Sequence, residues 1–277
     1  MDDASDKELL PPPVSQWMQN GFHRFLSGYL RRHFHAIALT TENRFEATIP
    51  ADEPLIVYVN HPSWWDPLTA HFLNRRLFRA RQFYAPIDAD ALEQYKVFGK
   101  LGFYGVPSDS SRGATEFLRK SKPILAATGS ALWLTPEGRF ADARDDRGTL
   151  MPGLSHLCSR MQSGTILPLA MEYVFWDERL PVCLARQGEV ISVADYADYS
   201  KSQWHDLLEN RLRQSQSALS ELAIARSSAP FENFIHSRTG AGVFYDTFRR
   251  LKSWMNGQAF QSSHGDQFAD ERRDPSE

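Results

Sequence analysis

Residues 55–68 read Leu55-Ile56-Val57-Tyr58-Val59-Asn60-His61-Pro62-Ser63-Trp64-Trp65-Asp66-Pro67-Leu68. The first five are an unbroken apolar run, the pattern of a buried strand. Leu68 to Leu73 reads as a helix, and Pro67 suits its first turn, where the missing N–H costs nothing. His61 then stands on a strand-to-helix turn, from which a side chain reaches over the end of a sheet. Asp66 follows five residues later, about a turn and a half of helix, so its carboxylate can return under the imidazole. A carboxylate there fixes the tautomer and stabilises the imidazolium once the ring has taken a proton. The pair reads as a general base with its orienting acid.

The spacing alone carries little weight. A His-x4-Asp pair arises by chance roughly 0.6 times in a chain of this composition. Its company carries more. Thr135-Pro136-Glu137-Gly138-Arg139 follows a second apolar run, Ala131 to Leu134. Ile166-Leu167-Pro168-Leu169-Ala170 is a third strand-like run. A strand leading into a loop recurs at the first two blocks, which places candidate chemistry at strand ends.

Taken together, Asn60-His61-x4-Asp66, Pro136-Glu137-Gly138 and the Pro168 strand resemble the glycerolphosphate/lysophospholipid acyltransferase family over roughly residues 40 to 175. The resemblance implies transfer of a fatty acyl group from a coenzyme A or carrier-protein thioester to a hydroxyl, with no cofactor beyond that acyl donor. It implies His61 as base, Asp66 as its partner, and Glu137, Gly138 and Arg139 as residues that hold the acceptor. Two departures stand out. The family's second block usually runs Gly-x-x-Phe-(Ile/Val)-x-Arg, and Gly102 to Ser108 puts Ser108 at the Arg position. Arg112 is the nearest cation and the candidate stand-in. The third block lacks the Thr that usually separates Gly from Arg. Both positions serve acceptor phosphate in the family. A lysophospholipid or glycerol phosphate acceptor is therefore weighed against a non-phosphorylated hydroxyl, such as the sugar of a glycolipid or a glycosylated terpenoid.

The length of 277 residues fits one large domain with appendages. A net charge of −3 argues against general nucleic-acid binding. The two cysteines, Cys158 and Cys183, are too few for a disulfide framework and lack metal-ligand spacing, so no metal site is expected. Met1 to Pro13 has no apolar signal-peptide core, and no window of apolar residues is long enough to span a bilayer. The expected location is cytoplasmic, with peripheral attachment to a membrane surface.

Five regions follow. Residues 1–13 and 257–277 are polar or Pro-rich and read as disordered tails. Residues 14–36 form an amphipathic helix with Trp17, Phe22, Phe25, Leu26 and Tyr29 on one face, suited either to a membrane interface or to the core. Residues 37–226 form the acyltransferase domain, and residues 227–256 a second basic amphipathic segment, centred on Val243 to Met255. Within the domain, strands are expected at Phe45–Ile49, 55–59, 82–86, 103–106, 131–134, 165–170, 172–175 and once or twice in 181–193. Helices are expected at 91–98, 113–120 (capped by Ser110 or Ser111), 153–161 and 201–225. This alternation predicts an α/β fold, a mixed central sheet flanked by helices. The loop from Arg139 to Met151 reads first as solvated, and second as a lid presenting Arg144 and Arg147 to an anion. A serine hydrolase would need a Gly-x-Ser-x-Gly elbow, which is absent. A non-enzymatic lipid-binding protein would explain the two amphipathic segments but not His61 or Glu137.

Overall fold

The structure, a computed structural model, describes residues 10–42, 49–50, 52–107, 111–235 and Phe268. Four expectations lie outside these residues: most of the Phe45–Ile49 strand, the Ser110 cap, the Val243–Met255 segment, and the tails other than residues 10–13 and Phe268.

The helix α1 (Gln16–His33) is capped by Ser15, whose Oγ accepts the Met18 amide at 3.4 Å. Arg31, Arg32 and His33 occupy its last turn, where the helix dipole favours cations. The chain then turns into β1 (Ala36–Thr40), β2 (Leu55–Val59) and α2 (Asp66–Leu77). Next come β3 (Gln82–Asp88), the short α3 (Ala89–Gln94) and α4 (Val97–Lys100), β4 (Phe103–Val106) and α5 (Ser111–Ala126). The second half holds β5 (Ser130–Leu134), α6 (Gly153–Cys158), β6 (Thr165–Val174), β7 (Val182–Gln187), β8 (Ile191–Ser192), α7 (Lys201–Ala225) and β9 (Phe231–Asn233).

Among the described residues these strands make one nine-stranded sheet in the order β4-β3-β5-β2-β6-β7-β1-β9, with β8 beside β6. The run β4-β3-β5-β2-β6 is parallel throughout. β7 returns antiparallel to β6, β1 runs parallel to β7, and β9 antiparallel to β1. The expected mixed α/β sheet is thus observed.

Every residue of β2 is buried, which explains its continuous apolar run. Its side chains alternate between two cores. Leu55, Val57 and Val59 face a layer built by Leu26 and Leu30 of α1 and Phe72, Leu73 and Leu77 of α2. Ile56 and Tyr58 face Ile124 of α5, Leu154 of α6 and Trp204, Leu208 and Leu212 of α7. Burying each such large side chain contributes about 1.5–3 kcal/mol, so the three-layer stack fixes the register of β2.

The structure departs from the sequence reading in four places. The two extended pieces at 165–170 and 172–175 are one strand, because Met171 pairs with Ala185 rather than breaking the ladder. β1 was read as the end of the first helix and the start of the domain; Phe34, with φ −122°, ends the helix and starts a strand. β9 lies beyond residue 226, so the sheet extends into the segment assigned to a C-terminal appendage. Residues 10–13 lie along the β4 side of the sheet, and the Tyr84 hydroxyl donates to the Pro12 carbonyl at 3.3 Å.

One buried group of α2 has a thermodynamic consequence. His71 is buried between Phe22 and Phe83, with ring centroids 5.0 Å from each, and among the described residues neither of its nitrogens has a partner. Burial, helped by the charges of His23 and Arg75, lowers its pKa from 6.5 to about 4. The folded state therefore resists a proton that the unfolded chain accepts. Stability is full above the unfolded pKa and falls as pH drops from about 6.5 towards 4, by roughly 3 kcal/mol from this residue. His71→Leu should flatten that part of the stability profile. Urea melts at several pH values test this, and an unchanged pH slope in the variant would contradict it.

Candidate active site

Parallel strands β5, β2 and β6 lie side by side, so their carboxyl ends open on one edge. The loop after β2 carries His61 and the loop after β5 carries Glu137. β6 continues past the pairing of Val59 with Leu169 and brings Met171, Glu172 and Tyr173 alongside. Asn60 fastens the first loop to this extension. Its buried amide accepts the Met171 N–H at 2.7 Å and donates to the Met171 carbonyl at 2.9 Å, adding a rung where the ladder ends.

His61 Nδ1 and Asp66 Oδ2 are 2.6 Å apart. Asp66 is the first residue of α2 and is only 2% exposed. A carboxylate there needs donors, and it has three. The His61 ring and the Ser63 amide (3.0 Å) donate to Oδ2, and the Tyr173 hydroxyl donates to Oδ1 at 2.7 Å. Burial, reinforced by the Cys183 and Asp66 charges, pushes the Tyr173 phenol well above its ordinary range, so it stays a donor. With Asp66 accepting from Nδ1, the neutral imidazole carries its proton there and leaves the Nε2 lone pair free. Among the described residues nothing bonds Nε2. Phe140 covers one face of the ring, with centroids 4.3 Å apart.

The Glu137 carboxylate lies beside this pair. Its Oε2 accepts the His61 backbone N–H at 3.2 Å, and its Oε1 accepts Arg213 of α7 at 2.7 Å. Glu137 is 7% exposed. Gly138 has φ +64°, the left-handed region that favours glycine. Arg139 is largely exposed and lies 4.0 Å from Asp145. Arg112 stands exposed in the first turn of α5, which follows β4, a strand three places from β2 in the sheet order. The structure thus brings His61, Asp66, Glu137 and Gly138 together and leaves Arg112 away from them.

The loop from Arg139 to Met151 is fastened to α7. Arg213 donates to the carbonyls of Asp145 and Gly148, Gln216 donates to the Ala143 carbonyl, and Glu209 accepts the Leu150 amide. Arg144 pairs with Glu172, and Arg147 with Asp145. Neither arginine has the free guanidinium that the lid reading required. The backbone amides of the two loops are engaged as well: those of His61, Ser63 and Gly138 donate to the Glu137 carboxylate, the Asp66 carboxylate and the Thr135 carbonyl. Beside the dyad, Pro62, Ser63, Arg144, Glu172, Tyr173 and Trp176 help line a cavity of about 600 Å³.

Residues 41–172 match the family model described as Acyltransferase. Over that span the chain is similar to the Acyltransferase family. The matched span includes the His61, Asp66 and Glu137 loops and ends on β6. No curated protein sequence matches it. Its fold is similar to the crystal structure of the 1-acyl-sn-glycerophosphate (LPA) acyltransferase PlsC from Thermotoga maritima. The two are 14% identical, with a TM-score of 0.50, over 73% of this chain and 79% of that one.

Sequence reading missed Tyr173, Arg213 and Gln216. Tyr173 ends an apolar strand and looked like core. Arg213 follows Leu212 within the apolar stripe of α7, and a cation beside a buried position was the available signal. Arg213→Met should leave Glu137 buried without a counter-charge, at a cost of about 3–5 kcal/mol in stability. Adding Glu137→Gln should restore much of that loss. Denaturant midpoints of the two variants test this, and an equal loss in both would refute the pairing.

Proposed function

We propose that this chain moves a fatty acyl group from acyl-CoA or acyl-carrier protein to a lipid hydroxyl of the lysophospholipid or glycerol phosphate type. The observation that carries the reading is the His61–Asp66 contact at 2.6 Å, on an open strand edge, with Nε2 unbonded by the described residues. His61 Nε2 takes the acceptor hydroxyl proton as the oxygen attacks the thioester carbonyl. Asp66 holds the imidazolium. The tetrahedral intermediate expels the thiolate, which recovers the proton from His61, and the ester leaves with the free thiol. No acyl-enzyme is required, because a thioester is activated enough for direct attack. Glu137 sets the His61 backbone, and Gly138 and Arg139 shape the acceptor side.

A second acceptor reading rests on one observation. The arginines that line the neighbouring cavity, Arg144 and Arg226, are already paired with Glu172 and Asp177. A phosphate would have to displace a carboxylate, whereas an uncharged sugar hydroxyl would not. Release of free thiol with lysophosphatidic acid and with a glycolipid acceptor separates the two readings.

The protein works at a membrane surface in this reading. Among the described residues no helix is long and apolar enough to cross a membrane. α1 turns Leu26 and Leu30 inward but leaves Trp17 83% and Phe25 63% exposed, and Trp64, between His61 and Asp66, is 61% exposed. Partial burial of such rings in lipid contributes up to about 1.5–3 kcal/mol each.

His61→Ala should fold and lose about 10²- to 10⁴-fold in turnover, and near-native turnover would refute the mechanism. Trp17→Ser with Phe25→Ser should release the protein from lipid vesicles while sparing turnover on a water-soluble acceptor. Undiminished vesicle binding would remove α1 from that role.

A further inference from the structure

A second feature lies away from His61, on the seam between α1 and α2. His23, Arg75, Arg76 and Arg79 line a cavity of about 330 Å³. All four are basic. They act on one another: Arg75 and Arg76 lower the pKa of His23, after burial, and Arg31 and Arg79 lower that of Arg76. Among the described residues no carboxylate answers them. Arg75 donates to the neutral Asn20 side chain at 2.8 Å, and Arg76 lies over the Phe72 ring at 5.2 Å. Among the described residues Arg76 Nε and His23 Nδ1 are buried with no partner, and so are both nitrogens of His71.

Like charges gathered without a counter-ion oppose folding, and buried N–H groups without acceptors add to the cost. Elsewhere Arg119, Arg144, Arg147, Arg211, Arg213 and Arg226 have carboxylate partners. The seam differs from these in gathering four basic side chains around one cavity. An anion with several acceptor oxygens removes both costs, and guanidinium forks match phosphate oxygens in pairs.

We propose that the His23/Arg75/Arg76/Arg79 cavity binds a phosphoryl anion, at a site separate from the His61–Asp66 dyad. Arg75 and Arg79, both exposed, supply the forks, while Arg76 and His23 meet the anion from below. The source is either the headgroup of an anionic lipid or a free phosphate. The site does not depend on the acyl-transfer reading, because its test reads binding.

The test uses the full chain, Arg75→Gln with Arg79→Gln, and a control of equal charge, Arg24→Gln with Arg32→Gln. The control residues are exposed on α1 and do not line the cavity. One arm measures binding to phosphatidylcholine vesicles with and without phosphatidic acid. The other measures melting temperature in sodium phosphate against sodium chloride at matched ionic strength. A cavity variant that loses about tenfold or more in affinity for the phosphatidic acid vesicles, against a smaller loss in the control, assigns the site to a headgroup. Loss of a phosphate-specific rise in melting temperature in the cavity variant alone assigns it to free phosphate. Equal behaviour of the two variants in both arms would overturn the proposal.

Discussion

The arrangement depends on the parallel pairing of β2 between β5 and β6. Parallel neighbours share a carboxyl edge, so loops 76 residues apart in sequence, those of His61 and Glu137, emerge next to each other. β2 is held in register by burial on both faces. A slip of one residue would send Leu55, Val57 and Val59 into the α7 layer and Ile56 and Tyr58 under α1. It would also move Asn60 off Met171 and His61 off Glu137. The hydrophobic stack thus positions the polar site.

Asp66 carries the greatest electrostatic demand on that edge. A carboxylate 2% exposed has lost nearly all its water. The Ser63 amide and the Tyr173 hydroxyl replace part of it and do not titrate near neutral pH. Both act before any proton moves, so they orient Asp66 without competing for the proton on His61. A further lone pair, on Oδ2, faces Nδ1. Because Tyr173 belongs to β6 and Asp66 to α2, the dyad is braced by the sheet as well as by its own turn.

What was legible in the sequence followed from local physics. β2 was read at its observed ends because turn residues bound an apolar run. His61 and Asp66 were legible because five residues and a helix start fix their separation. Glu137 was legible as a loop residue, but its engagement was not. Tyr173 meets Asp66 across 107 positions, a contact that depends on β6 passing Val59 by several residues. No periodicity encodes that overhang. β1 and β9 were missed for a related reason: each is short, and each is a strand because its partner is there. α1 was legible as amphipathic, yet its apolar residues divide between core and surface, since Leu26 and Leu30 point inward and Trp17 and Phe25 do not.

Arg213 shows how a buried loop carboxylate is met from a distant helix. The Glu137 carboxyl accepts the His61 amide, and a carboxylate at 7% exposure calls for a cation. The β4 side does not provide one: Arg112 starts α5 at the far end of the parallel run. Arg139, next but one in sequence, points outward towards Asp145. The cation comes instead from the middle of the 25-residue α7, which the Ser200–Gln203 capping box starts and a Trp204, Leu208 and Leu212 stripe seats against β2. Once seated, Arg213 has donors to spare, and they go to the Asp145 and Gly148 carbonyls. The same guanidinium that neutralises Glu137 therefore holds the 139–151 loop, and with it Phe140, against His61. The placement of the His61 turn and the order of the 139–151 loop rest on one side chain, which is why a loop whose composition reads first as solvated is held as part of the wall.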